Sequence, residues 1–240
     1  MSNTYLQTPP ATPVQEFYSQ FNISVTKSGL MPSASKIKHG SPFSWEDTKF
    51  IVKSNQLEVF ARSEEETTKY HEFKAWLKAN ELSINEYLLS SQLEWKDEDI
   101  RDQTKEYPQE YDVNHAQDLI LFNPNDVKIL PNKFPYYFDT NVRHICIWSK
   151  LKVPADKESV VGDISPRTRR LVHRYLERTF VKRGVSWDQI LWFKNWVSLQ
   201  SVRAVSHFHV LLRDVDDALI EELMGNSGEM LDLEDYRELL

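Results

Sequence analysis

Residues 206–212 read SHFHVLL, and polar and apolar side chains alternate over 207–210, the period of a β-strand with two unlike faces. Side chains two apart on a strand share a face, so His207 and His209 project together while Phe208 and Val210 project to the other side. Three more segments have the same β-branched and aromatic bias: Val127, Ile129 and Leu130 ahead of a proline, HICIWS at 144–149, and QILWFKNW at 189–196. Between the second and third of these four strands, Ser165 and Pro166 stand as N-cap and first helical residue. The stripe Leu171, Val172, Tyr175, Leu176 and Phe180 then marks one long helix ending near Gly184. Upstream the spacing is helical. Ser44 and Asp47 make a capping box with Phe43 as staple, and Trp45, Phe50, Ile51, Leu57 and Phe60 follow. Ser63 precedes three glutamates and the series Tyr70, Phe73, Trp76 and Leu77, and Ser83 opens a further helix through Leu89. The reading predicts an α+β fold: N-terminal helices packed on a four- or five-stranded antiparallel sheet, with one long helix crossing it.

Residues 1–42 hold Pro9, Pro10, Pro13, Pro32 and Pro42, with only Phe17, Tyr18, Phe21, Ile23 and Val25 as an apolar patch. So little burial does not offset the ordering entropy, and a mobile tail is expected there. Residues 43–240 read as a single domain, with a polar loop at 96–116 and an acidic segment at 215–240 that holds one or two terminal helices or frays. A net charge of -7 opposes attraction to phosphate backbones and anionic lipid, so neither nucleic acid nor membrane is expected as a partner. No apolar run approaches the length of a bilayer span, and MSNTYLQTPPATP lacks the features of a secretory signal. A single cysteine, Cys146, closes no disulfide within the chain. These points together predict a cytoplasmic protein. With 6 glycines there is no Gly-rich phosphate loop, which excludes P-loop and Rossmann nucleotide binding, and no cofactor is called for.

Three segments taken together, ILPNKFPYYFDTNVRHICIWSK at 129–150, WFKNWVSLQSV at 192–202 and AVSHFHVLLRD at 204–214, resemble the fungal N-acetylglucosamine-induced family, a domain of unknown function. The likeness extends less sharply over Trp45 to Trp95. It departs from the family pattern at Lys133 and Phe134, where Asp and Trp are usual, and at Ser206, where an acid is usual. Membership implies a cytoplasmic protein connected with amino-sugar utilisation and supplies no reaction. More remotely, the order of motifs resembles that of histidine-triad nucleotide hydrolases and transferases: Asn132 to Tyr136, His144 through Lys150, the helix from Ser165, Asn195, Gln200 to Val202, and His207-Phe-His209. Leu211 stands where a third alternating histidine is expected. That resemblance implies His207 and His209 as catalytic residues, either one as nucleophile, with His144, Lys150, Asn195, Gln200, Ser201 and Arg213 as ligand-binding residues.

A neutral histidine attacks phosphorus or moves a proton to a leaving oxygen, while a neighbour fixes its tautomer. Lys150, Arg213 and Asn195 are the candidate donors to a phosphoryl group. The plainer reading is a pair of hydrogen-bonded histidines lining a sheet. His144, His207 and His209 would also make a three-imidazole metal site, but no carboxylate or cysteine has metal-ligand spacing, and no metal is assigned. Cys146, in an apolar strand, reads as buried and inert. Trp187, Trp192 and Trp196 read as core rather than a sugar platform. Arg170, Arg174 and Arg178 share one helix face and either neutralise the chain's own acids or meet a protein partner. The expected function is a protein of amino-sugar metabolism that binds an anionic small molecule, a sugar phosphate or nucleotide. The alternatives are a histidine-dependent nucleotide or nucleotide-sugar hydrolase or transferase, and an interaction module using the basic helix at 166–183.

Overall fold

Every α-helix among the described residues starts on a Ser or Asp side chain that accepts from first-turn N–H groups: Ser44, Ser63, Ser83, Ser165, Asp216 and Asp232. Each cap satisfies donors that have no partner inside the helix, which is why the four serine starts were legible in sequence. The computed structural model describes residues 23–26, 29–32, 36–102, 119–153 and 155–239. The chain divides into two compact units, Met1–Trp76 with Lys133–Thr140, and Leu77–Asn132 with Asn141–Leu240.

In the first unit, β1 (Ile23–Thr26) pairs antiparallel with β2 (Gly29–Pro32), a ribbon inside the stretch expected to be an unstructured tail. Order also begins ahead of residue 43. The Lys38 N–H donates to Arg62 O at 2.8 Å, and the Lys38 side chain is buried with its ammonium 5.5 Å from the Phe43 ring. Helices α1 (Trp45–Lys53) and α2 (Glu64–Ala79) follow, the last residues of α2 belonging to the second unit. Phe43, Phe60, Tyr136 and Phe138 pack edge-on or stacked at 5.2–6.3 Å. Residues 1–22, 27–28 and 33–35 of the expected tail, and 103–118 of the expected polar loop, lie outside the described residues.

In the second unit α3 (Ile84–Tyr87) widens into a π-helical stretch at Leu88–Leu93, and β3 (Arg101–Asp102) follows a short turn. Then come β4 (Val127–Pro131), β5 (Val142–Ser149), β6 (Leu151–Lys152), α4 (Pro166–Thr179), β7 (Ile190–Phe193), β8 (Ser206–Arg213), α5 (Asp217–Leu223) and α6 (Leu233–Leu239). Strands β4-β5-β8-β7 form a four-stranded sheet in that order with every neighbour antiparallel, and β3 pairs parallel with β6. The fold is α+β. The expected strand at 189–196 stops at Phe193, which leaves Lys194 and Asn195 outside the ladder.

One sheet face carries Ile129, Ile145, Ile147, Ile190, Phe208, Val210 and Leu212, and they form one buried cluster with Leu171, Val172, Tyr175 and Leu176 of α4. Each such side chain contributes roughly 1.5–3 kcal/mol when fully buried, so this layer dominates the stability of the unit. The acidic C-terminal segment does not fray. Arg174 bonds Asp235 at 2.8 Å and Glu238 at 3.0 Å, Arg178 bonds Asp232 at 2.9 Å and also Asp235, and Arg170 Nε donates to Leu239 O at 3.0 Å. The three arginines offered to a protein partner are thereby engaged by α6 and the residues leading into it.

Gly228 has φ +71°, and a Cβ there would lie 2.5 Å from Tyr175 Oη and 2.8 Å from Thr179, both side chains buried in α4. Gly184 has φ +95° with nothing within 4 Å of a Cβ. Gly228→Ala is expected to destabilise by well over the ~1–2 kcal/mol that the left-handed backbone costs an alanine, and Gly184→Ala by about that cost alone. Urea unfolding of the two variants measures the difference; equal midpoints would show that the Gly228 contact does not constrain packing.

Candidate functional site

Antiparallel pairing of β5 with β8 sets His144 opposite Leu211, Cys146 opposite His209 and Trp148 opposite His207, while β7 sets Phe193 opposite His209. These residues occupy the face away from α4. Cys146 and Trp148 belong there to a second buried cluster, with Leu88, Leu89 and Leu93 of the π-helical stretch and with Val202 and Val205. All three histidines are buried.

The expected site residues separate into two groups. His144, Asn195, His207 and His209 are brought together. His144 Nε2 lies 2.9 Å from His209 Nδ1, and Asn195 Nδ2 lies 3.2 Å from His209 Nε2. The His209 ring stacks on Phe193 at 4.8 Å and meets the His207 ring edge-on at 5.1 Å. Asn132 Nδ2 lies 3.0 Å from His144 Nε2, and Cys146 Sγ lies 3.6 Å from His209 Nδ1. Gln200 joins through the backbone, its Nε2 donating to Asn195 O at 2.7 Å. Lys150, Ser201 and Arg213 do not join. Lys150 Nζ lies over the Trp95 ring at 5.3 Å and 3.8 Å from Asp99. Ser201 is exposed in a bend. Arg213 is six residues along β8 from His207, about 20 Å at the strand rise, and its Nε faces Asp214 at 3.7 Å.

His207 and His209 are held differently. His207 Nδ1 lies 3.1 Å from Val205 O. A carbonyl only accepts, so Nδ1 carries the proton and Nε2 keeps its lone pair. Among the described residues Nε2 makes no hydrogen bond. The ring packs on Trp148 at 4.3 Å, and burial lowers its pKa to about 4, with Lys194 adding to the depression and the Val205 bond opposing it. His207 is therefore neutral at pH 7. His209 has both ring nitrogens engaged. Of the two histidines offered as nucleophile, His207 is the one with a ring nitrogen that makes no hydrogen bond among the described residues. Burial pushes the Cys146 thiol up, which keeps it protonated.

Ser206, the residue before His207, lines a cleft of about 390 Å³ together with Lys152, Lys194, Gln200, Arg203 and Asp102. Lys152 pairs with Asp102 at 2.9 Å. Among the described residues neither Lys194 nor Arg203 has an ion-pair partner, and Lys194 is only 7% exposed. Burial lowers the Lys194 pKa, opposed by the field of Asp163. The sequence reading passed over these cations. Lys194 has a local signal, a single charge inside the apolar run LWFKNW; Lys152 and Arg203 have none, because only the tertiary fold brings them to one cleft. The tryptophans do not line it. Trp187 stacks on His173 at 4.0 Å, and Trp192 packs edge-on against Phe208.

A family model described as "Protein of unknown function (DUF3605)" matches residues 44–213. Over 243 residues the chain is 59% identical to N-acetylglucosamine-induced protein 1 of Candida albicans, with 99% of this chain and 96% of that protein covered. It is 30% identical over 169 residues to an uncharacterized protein of Saccharomyces cerevisiae, covering 70% of this chain and 77% of that protein. The crystal structure of HTC1 superposes with a TM-score of 0.61 and 26% identity, covering 78% of this chain and 99% of that one.

A histidine whose folded pKa lies below its unfolded value leaves the unfolded chain binding more protons between the two, so stability falls as pH drops through that window. For His207 the window runs from 6.5 down to about 4. Between pH 7 and pH 5 this residue should remove about 2 kcal/mol of stability. His207→Gln should lose correspondingly less over the same interval in urea titrations at the two pH values, and parallel losses would show that His207 protonates freely in the fold.

Proposed function

The chain belongs to the fungal family of N-acetylglucosamine-induced proteins, the domain described as Protein of unknown function (DUF3605), and we propose that this protein binds the phosphate of a sugar phosphate or nucleotide in the cleft beside Lys194. The observation that carries the reading is Lys194, a residue only 7% exposed that lines the cleft together with Arg203 and has no ion-pair partner among the described residues. Taking a charge out of water without a partner costs several kcal/mol, and such a group persists where an anion offsets it. Gln200 and Ser206 add neutral polar groups to the wall of the same cleft. The name of the Candida relative, N-acetylglucosamine-induced protein 1, supports an association with amino-sugar metabolism. The reading places the protein in the cytoplasm. It is supported by a lone, buried free thiol, and no helix among the described residues is long and apolar enough to cross a membrane.

A second reading is a histidine-dependent hydrolase or transferase of nucleotides or nucleotide sugars. The bond from His207 Nδ1 to Val205 O favours it, because that bond fixes the tautomer a nucleophile needs. In that reaction His207 Nε2 attacks phosphorus, the P–O bond to the leaving group breaks, and water later cleaves the P–N bond. His209 positions the ring through their edge contact.

Thermal unfolding against a panel of sugar phosphates, nucleotides and nucleotide sugars tests the binding reading. A ligand at 100 times its dissociation constant stabilises the native state by about 2.7 kcal/mol. Lys194→Met should abolish that shift while raising the stability of the ligand-free protein, since it replaces an uncompensated buried charge by an apolar side chain of similar length. A shift retained in Lys194→Met, or none across the panel, removes the cleft from consideration.

Chromatography of each stabilising ligand after prolonged incubation with concentrated protein separates the two readings. Turnover that falls on the order of 10³-fold or more in His207→Asn establishes the catalytic one. A ligand recovered intact, with His207→Asn altering affinity alone, leaves a binding protein.

A further inference from the structure

We propose that His144, Cys146 and His209 form a site for a divalent cation of the zinc class. The three donor atoms, one from each side chain, lie within 4.8 Å of one another. His144 and Cys146 are i and i+2 on β5, and Cys146 faces His209 directly across the ladder, so two hydrogen-bonded strands fix all three Cα positions before any metal arrives. The donor set, two imidazoles and a thiolate, is one that zinc takes with a fourth position left to water or to another oxygen. Tetrahedral coordination at ordinary zinc distances needs N···N separations of about 3.4 Å and N···S separations of about 3.6 Å. Here His144 Nε2 and His209 Nδ1 are 2.9 Å apart, and Cys146 Sγ is 3.6 Å from His209 Nδ1. The site forms when the imidazole pair opens by about half an ångström and the His144–Cys146 separation, bounded by 4.8 Å, closes toward 3.6 Å, both movements of side-chain torsions about fixed Cα positions.

The surroundings suit a metal better than a proton. A single proton between the two imidazoles satisfies that pair and leaves the sulfur at a long contact, whereas a cation engages all three atoms. On binding, the Cys146 S–H bond breaks and its proton passes to solvent. His144 coordinates through Nε2 and His209 through Nδ1, so the ring that donates in their present hydrogen bond moves its one proton to its other nitrogen, while the accepting ring already carries its proton there. The Asn195 amide, turned about its terminal torsion, accepts from His209 Nε2–H, an outer contact of the kind that orients metal-bound histidines. The Asn132 amide, whose Nδ2 lies 3.0 Å from His144 Nε2, offers its oxygen at the fourth position once turned about its terminal torsion. His207 stays outside the set, with its Nδ1 on Val205 O. The proposal therefore does not rest on the anion cleft, and Lys194→Met should bind the cation as the unaltered protein does.

The chain has 1 cysteine, so any thiolate signal reports Cys146. The full chain, stripped with a chelator, is titrated with Co²⁺ under absorbance and then with Zn²⁺ in competition. The expected result is saturation at one Co²⁺ per chain, visible bands of tetrahedral intensity, and a near-ultraviolet thiolate-to-cobalt band that Zn²⁺ bleaches. Zinc at 100 times its dissociation constant should raise the melting temperature by roughly 5–10 °C. Cys146→Ser should remove the thiolate band, and His173→Asn, at a histidine stacked on Trp187 away from the cluster, should keep it. Absence of saturable binding in the unaltered protein overturns the proposal. So does binding without the thiolate band, which would place the ion on other histidines.

Discussion

The pairing of β5 with β8, eight residues against eight from Val142–Arg213 to Ser149–Ser206, is the constraint on which the rest of the second unit depends. It aligns two alternating rows, and each row has one apolar and one chemical face. Ile145, Ile147, Phe208 and Val210 go under α4, and His144, Cys146, His207 and His209 go to the opposite side. Slipping either strand by one residue would exchange the faces, setting imidazoles against Leu171 and Tyr175 and exposing the core row. The apolar row therefore holds the register, and the histidines ride on it. Their Cα positions are as fixed as the ladder itself.

Charge is distributed by the same fold into used and unused portions. Arg170, Arg174 and Arg178 hold the C-terminal helix to α4 through Asp232, Asp235, Glu238 and the Leu239 carbonyl. The pairs to Asp232 and Glu238 have exposed acids and are worth little singly, whereas Asp235 is buried and, shared by Arg174 and Arg178, makes them a small network. Lys194 and Arg203 enter no such pair among the described residues, and Lys194 is the more costly of the two because it is buried. An acidic protein thus carries a local positive cleft at the end of β8 where His207 begins. Groups left uncompensated in this way are drawn disproportionately from functional sites, since packing alone would have removed them.

The two imidazoles of β8 divide into one with a single ring nitrogen bonded and one with both engaged. His207 leans on the Val205 carbonyl and the Trp148 ring, and its environment keeps it neutral. His209 is locked between Asn195 and His144, with Phe193 stacked on its face. From the sequence the two are equivalent positions of one alternating strand. Their difference comes from neighbours on β5, β7 and the turn before β8.

What the sequence determined by itself was everything written in contiguous residues. The period of SHFHVLL and HICIWS, the serine caps at positions 44, 63, 83 and 165, and the stripe of α4 were legible because each depends on neighbours a few places away. Where local signal was thin, the reading lost detail. The β1–β2 ribbon sits in a stretch too poor in apolar residues to announce itself, and Lys38 is ordered by a hydrogen bond to Arg62, which no local pattern encodes. The motif order brought His144, Asn195, His207 and His209 to notice, but it also nominated Lys150 and Arg213, which the ladder carries elsewhere. Only the tertiary structure decided that Cys146 faces His209, that Lys194 is buried without a partner, and that the basic face of α4 is turned to the chain's own C-terminus. Such contacts join atoms as much as 69 residues apart in sequence, and their geometry is set by strand register and helix docking, which the cooperative burial of the whole core selects and no local stretch specifies.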